Sequence, residues 1–121
     1  MIVRAATPDD AEAIAAIYGH HVLNGFGTFE ETPPSAAEME RRRLGIAARG
    51  LPYVVAAGDG AVLGFAYAGP FRPRAAYRYT VEDSVYVAPR AVGRGVGRAM
   101  LAAVIDTCEG MGVRQMVAVI G

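Results

Sequence analysis

Between Thr80 and Cys108 the chain reads TVEDSVYVAPRAVGRGVGRAMLAAVIDTC, and most of its chemistry is concentrated there. The segment Gly93-Arg94-Gly95-Val96-Gly97-Arg98 lies where an apolar strand pattern gives way to a helical one. The first N–H groups of a helix lack intrahelical partners and carry partial positive charge, so such a loop is suited to phosphate oxygens. Glycine lets the backbone approach those oxygens, because no Cβ stands in the way. Arg94 and Arg98 add charge-assisted donors. The plainer reading is a tight turn onto a helix, and the glycines alone do not separate the two. Upstream, Glu82 and Asp83 are adjacent carboxylates on the strand. Neighbouring strand residues face opposite sides, so the two cannot serve one site together. Without further information Glu82 is either a proton acceptor, a solvated carboxylate or the partner of Arg74 or Arg78.

Other nucleotide motifs fit poorly. A P-loop requires Gly-x4-Gly-Lys-Ser/Thr, which is absent. A Rossmann fingerprint counted from Gly93 reaches Arg98 where its third glycine belongs, and Ala88 to Val92 separate the loop from the strand. That weakens a nicotinamide-dependent oxidoreductase. His20 and His21 face different ways on a helix and have no third ligand nearby, so no metal is expected; His21 belongs at the edge of the core. Cys108, the single cysteine, lies on an apolar helix face and is expected to pack rather than react. Twelve basic and twelve acidic residues cancel, so no global field favours nucleic acid or an anionic membrane, and any anion site must be local. With 121 residues, 53% of them hydrophobic, one folded domain is expected. The N-terminus lacks a signal-peptide core and no apolar run reaches the roughly 18 residues of a membrane span, which makes the cytoplasm the default compartment.

The elements that must position these residues follow from periodicity and punctuation. Ile2 to Ala5 reads as a strand. Thr7-Pro8-Asp9-Asp10 starts a helix, and Ile14, Ile17, Tyr18 and His21 give it an apolar face until about Val22. Asn24 to Pro34 is a loop. Ser35-x-x-Glu38 is a capping box opening a second helix that ends near Arg49, with Gly50 as its stop. Its MERRRL run, Met39 to Leu44, is expected to be a solvated face. Tyr53–Ala57 and Val62–Ala68 are strands joined at Gly58-Asp59-Gly60. Pro70 to Arg78 is a basic loop, Tyr79 to Val87 a strand closed by Pro89, and Gly97 to about Glu109 a helix with Met100, Leu101, Val104, Ile105 and Cys108 on one face. Val113 to Ile120 is the last strand. The fold class is α/β (α+β): a mixed sheet in the order β-α-α-β-β-β-α-β, with antiparallel N-terminal strands and a parallel β-α-β at the C-terminal end.

Val85-Tyr86-Val87-Ala88-Pro89 followed by Gly93 to Arg98 resembles the acyl-CoA signature of the GNAT superfamily of N-acetyltransferases. Within it, TVEDSVYV, GPFRPRAAYRYT and GTFEETPPS are similar to the phosphinothricin / methionine sulfoximine N-acetyltransferase family. The resemblance covers essentially the whole chain and implies an enzyme using acetyl-CoA as co-substrate, with no metal. An amine, the α-amine of a glutamate-like amino acid, attacks the thioester directly; a peptide N-terminus is the alternative amine, and a non-catalytic CoA-binding module the alternative from another class. The resemblance implies Glu82 as catalytic base. It implies Val85, Tyr86, Val87, Gly93, Arg94, Gly95, Val96, Gly97 and Arg98 as cofactor-binding, with a backbone N–H near Val85 to Val87 as oxyanion donor. Phe29, Arg72, Arg74 and Arg78 are implied as substrate-binding, and Glu30 and Glu31 as solvated neighbours of Phe29. Homodimers are common in the family, and one is expected here. The superfamily pattern Gln/Arg-x-x-Gly-x-Gly/Ala registers on Gly95 and Gly97, which puts Val92 where an Arg or Gln is usual; Arg90 lies two residues earlier. Full-length members continue past the last strand with a helix and strand that supply an asparagine and a tyrosine general acid, so the chain is expected to be C-terminally truncated.

Overall fold

A computed structural model describes residues 1–24, 30–70, 80–111 and 115–120. Strand β1 (Ile2–Ala5) is followed by a 3-10 turn (Pro8–Asp10), helix α1 (Ala11–Leu23) and helix α2 (Ala36–Ala48). Strands β2 (Tyr53–Gly58), β3 (Ala61–Pro70) and β4 (Thr80–Val87) come next. A second 3-10 turn (Pro89–Ala91), helix α3 (Val96–Gly110) and strand β5 (Gln115–Ile120) complete the order. The five strands form one sheet in sequence order, antiparallel from β1 to β4 and parallel between β4 and β5. The expected fold class, element order and strand directions are therefore found.

The local signals explain most boundaries. Asp59 and Gly60 both take positive φ, 55° and 74°, as a tight two-residue hairpin requires. Gly50 ends α2 at φ 74°. Pro8 opens a 3-10 turn rather than the first turn of α1 itself, because the Asp10 carboxylate turns back to accept the Thr7 N–H at 2.8 Å. The capping box of α2 is only half formed. Ser35 Oγ accepts the Glu38 N–H at 3.1 Å, but the Glu38 carboxylate is drawn instead to Arg41 and Arg42.

Alternation along the strands sorts the core into two layers. Val85 and Val87 face α3, where they meet Gly97, and Gly64 of β3 faces Met100 of the same helix. Tyr86 faces the other way, edge-on to Tyr18 and His21 of α1 and stacked on Phe65. Tyr53 and Tyr67 continue that aromatic layer. Met100, Val104 and Cys108 of α3 are fully buried, as the helical spacing predicts. No helix among the described residues is long and apolar enough to cross a membrane.

The MERRRL run corrects an expectation. It is not simply a solvated face. Met39 and Arg43 are buried, and Arg43 donates to Glu40 at 2.7 and 2.6 Å and to the Ala6 carbonyl at 3.4 Å. A guanidinium on a long stem can fill a gap between elements while its donors stay satisfied, which periodicity does not reveal.

Candidate active site

Two concavities open along β4. The first is a groove of about 400 Å³ between α2 and the sheet, lined by Arg42, Gly45, Ile46 and Arg49 from the helix and Tyr67, Gly69, Glu82 and Ser84 from β3 and β4. Glu82 is half-buried and sits opposite Gly69 in the antiparallel register, with Ser84 opposite Tyr67. Burial above all, and secondarily the nearby Glu82 charge, raise the Tyr67 phenol above its ordinary pKa, against the opposing effect of its hydrogen bond with Ser84. Asp83 lies on the opposite face and is buried near Cys108, as the period of two requires. Burial, first, and the nearby Asp83 charge push the Cys108 thiol up, which disfavours the thiolate that nucleophilic work needs.

The wall of this groove is held by an ion-pair network that sequence reasoning missed. Arg42 donates to Glu30 at 2.6 and 3.2 Å and to Glu38 at 2.8 Å. Glu30 also accepts the Tyr18 hydroxyl at 2.8 Å. The Arg42 bonds, and secondarily the Tyr18 one, hold the Glu30 carboxyl below the usual carboxylate range against the opposing effect of burial. Glu30 is thus not a solvated acid, correcting the expectation; Glu31 is exposed as expected. The only available signal was the spacing of Arg42, Gly45, Ile46 and Arg49 at i, i+3, i+4 and i+7, which marks one helix face.

The second concavity, about 210 Å³, is lined by His21, Val87 and Ala91 together with Val92, Gly93, Gly95, Val96 and Gly97. Gly93 and Gly95 take φ of 84° and 76°, and a Cβ built on either meets nothing within 4 Å among the described residues. Their backbone therefore faces open space in a conformation that suits glycine. Gly95 caps α3 with no side-chain hydrogen bond, leaving the first N–H groups of the helix to a ligand. His21 is a further residue whose role was missed. Its Nε2 lies 3.2 Å from the Val87 carbonyl and so carries the proton, and its Nδ1 is buried with no hydrogen-bond partner among the described residues. An open glycine backbone at a helix start whose first N–H groups have no side-chain cap fits a ligand bearing phosphate groups.

The remaining predicted residues divide sharply. Val85 and Tyr86 are buried in opposite layers, Val96 is core, and each can offer only its backbone to a ligand. Arg98 is exposed at the start of α3. Arg94 departs from the expected arrangement: its guanidinium donates to Asp59 in the β2–β3 hairpin at 2.8 Å. Both partners are largely exposed, so that pair is weak and yields readily to a better anion. Arg90 does not replace the residue usual at Val92; it donates to the Val62 carbonyl at 3.2 Å, and Val92 itself is exposed. Phe29, Arg72, Arg74 and Arg78 lie outside the described residues. Among the described residues no group of three or more His, Cys, Asp or Glu is placed to hold a metal ion.

Residues 14–120 match the Acetyltransferase (GNAT) family. The chain belongs to that family. Relatives place it more finely within the GNAT acetyltransferases. It is 53% identical over 119 residues to a phosphinothricin N-acetyltransferase of Alcaligenes faecalis, a match covering 98% of this chain and 60% of the relative. It is 38% identical over 122 residues to an L-methionine sulfoximine/L-methionine sulfone acetyltransferase of Salmonella typhimurium, covering 98% and 69%. Among solved structures it superposes with a TM-score of 0.95 on a GNAT superfamily phosphinothricin acetyltransferase from Sinorhizobium meliloti in complex with AcCoA. That match is at 51% identity and covers 99% of this chain and 65% of that one. A ribosomal-protein-alanine N-acetyltransferase from Brucella melitensis gives a TM-score of 0.94 at 36% identity, covering 98% and 73%. The chain spans about three-fifths of the length of the Alcaligenes relative.

Proposed function

We propose that residues 1–121 act as one acyl-CoA N-acyltransferase domain, moving an acetyl group from acetyl-CoA to the α-amine of a glutamate-like amino acid of the phosphinothricin or methionine sulfoximine type. The observation that carries this reading is that β4 serves both concavities. Glu82 and Ser84 line the groove and Val87 lines the glycine cavity, five and three residues further along, about 17 and 10 Å at the rise of a strand.

Acetyl-CoA, when bound, supplies the thioester that makes the acetyl group transferable. Gly93, Gly95, Gly97 and the first N–H groups of α3 hold its pyrophosphate, with Arg98, and Arg94 once released from Asp59, as side-chain donors. Glu82 takes a proton from the substrate ammonium onto its carboxylate, freeing the nitrogen lone pair for direct attack. Such a base contributes about 10²–10⁴-fold. A backbone N–H in the Val85 to Val87 stretch would donate to the acetyl oxygen as charge develops there, an interaction worth about 3–4 kcal/mol in comparable sites; the C–N bond then forms as the C–S bond breaks, and the departing thiolate takes up the proton that the nitrogen sheds. Phe29, Arg72, Arg74 and Arg78 remain part of the proposal as substrate-binding residues, on the strength of the family resemblance. A cytoplasmic location follows from dependence on acetyl-CoA, and a homodimer from the same resemblance; light scattering of the purified chain tests the dimer.

Thiol release from acetyl-CoA, followed with a panel of amines, tests the function. Phosphinothricin or methionine sulfoximine is expected to drive release, and Glu82→Gln to lower kcat by about 100-fold or more. Full activity in that variant removes Glu82 as the base. The likeness to the Brucella melitensis enzyme favours a second reading, acetylation of a peptide N-terminus, so an alanine-initiated peptide belongs in the panel. Calorimetric binding of acetyl-CoA without turnover on any amine would mark a non-catalytic CoA-binding module instead.

A further inference from the structure

We propose that the α2 wall of the groove selects the substrate, with Gly45 making room for its side chain and Arg49 binding an anionic group that it carries. This assignment rests on the amine-acetylating reading and concerns residues outside the family signature.

Gly45 lies in the interior of α2, where glycine is the least favourable residue short of proline. Among the described residues no close packing explains it: a Cβ at Gly45 would meet none of their atoms within 4 Å, and the position lines the groove that contains Glu82. The missing side chain therefore leaves open volume where a substrate must enter, rather than admitting a neighbouring element.

Charge in the groove supports the second half. Arg41 pairs with Glu38, Arg42 with Glu30 and Glu38, and Arg43 with Glu40. Arg49, one turn beyond Gly45 on the same face, is exposed and lines the groove, with no ion pair or side-chain hydrogen bond among the described residues. The cation of Arg42 is already balanced by two carboxylates. Among the described groove residues that leaves one carboxylate, Glu82, and one guanidinium without an ion pair, Arg49, which would act beside the Arg72, Arg74 and Arg78 already proposed as substrate-binding. A zwitterionic amine with its ammonium at Glu82 and an acidic group at Arg49 complements both, and a guanidinium fork suits carboxylate or phosphinate oxygens. The shared chemistry is an anionic oxygen pair, whether the α-carboxylate or an acid on the side chain.

Calorimetric titration of the chain with phosphinothricin, with its α-amide and with a neutral-side-chain amino acid reads this directly, independently of turnover. Arg49→Gln and Arg49→Glu are expected to weaken phosphinothricin binding about tenfold or more, the loss typical of a charged hydrogen-bonding partner, with partial recovery in Arg49→Lys. The α-amide and the neutral analogue identify the acid: the one already weakened in the parent chain loses little more in Arg49→Gln. Gly45→Leu is expected to lower the ratio of affinities for phosphinothricin over glycine by about tenfold or more. Acetyl-CoA binding to each variant confirms that it is folded. Parent-like affinity in Arg49→Gln and a parent-like ratio in Gly45→Leu overturn the assignment, as does a parent chain that binds none of the amines. Amine binding without acetyl transfer supports the assignment and overturns only the catalytic reading.

Discussion

At Gly95 the chemistry of the site meets the conformational cost of building it. Its φ of 76° lies in the left-handed region, and a Cβ there would project into open space above the start of α3. Gly95→Ala is expected to cost about 1 kcal/mol of stability from backbone strain alone. It is also expected to weaken acetyl-CoA binding, because the new methyl group stands where a phosphate approaches. Denaturant unfolding and calorimetry separate the two effects; a variant that loses stability but binds acetyl-CoA normally would show that the phosphate lies elsewhere. The three glycines were readable in the sequence as a tight turn onto a helix, but their spacing alone does not separate that turn from a phosphate cradle. Glu82 was legible only in part: alternation separates it from Asp83, but its groove partners come from α2 and β3, far away in the chain. His21 was legible as a core residue through its helical spacing, yet its bond to the Val87 carbonyl spans 66 residues and no local pattern encodes that.

Helix starts and helix faces carry the next scale. The Asp10 carboxylate accepts two bonds from Arg4, at 2.8 and 2.9 Å, and one from the Thr7 N–H, so it ties β1 to the start of α1. Arg4, first, and the Thr7 bonds hold its pKa below the usual carboxylate value, against burial. The folded chain therefore binds this proton more weakly than the unfolded chain does. Its contribution is fully present above the unfolded value, about pH 3.9, and is lost as pH falls through the lower folded value. Asp10→Asn is expected to cost about 1–2 kcal/mol at pH 7 and to flatten the acid limb of the stability profile, measured by urea unfolding between neutral pH and pH 3. An acid limb identical to the parent's would assign acid sensitivity to other carboxylates. In α2, Gly45→Ala is expected to raise stability by about 0.5–1 kcal/mol, since the methyl group meets nothing and the helix loses a flexible residue. Element order and strand direction were readable because Gly50, the Asp59-Gly60 turn and Pro89 punctuate the chain at the joins. The MERRRL face was misread because charge is a poor guide to burial when partners on other elements, here Glu30 and the Ala6 carbonyl, satisfy the guanidinium groups.

Across the whole molecule, the distance between α3 and the sheet fixes how the glycine cavity meets β4, and Gly64 governs that distance. An ideal Cβ at Gly64 would lie 2.7 Å from the Tyr86 carbonyl oxygen and 2.8 Å from Met100 Cε. Met100 is fully buried, and Gly64 pairs in register with Val87, the strand residue at the cavity. The methionine tip can swing aside, whereas the carbonyl belongs to a strand hydrogen-bonded within the sheet. Gly64→Ala is therefore expected to cost about 1–3 kcal/mol by overpacking. Met100→Ala alone is expected to cost about 2–5 kcal/mol through the cavity it leaves. In the double variant the side-chain clash is relieved while the carbonyl clash stays, so the two costs are expected to sum to more than the double variant shows. The strain also reaches the site, because moving Tyr86 or Val87 shifts the strand end that lines the cavity, and acetyl-CoA affinity is expected to fall with stability in Gly64→Ala. Gly110→Ala, where the new methyl group meets nothing among the described residues and sits at the far end of α3, is the matched control. Unfolding midpoints and acetyl-CoA titrations on the four chains decide the matter. Parent-like stability and affinity in Gly64→Ala would mean that the sheet yields at this crossing and that α3 is positioned by its other contacts.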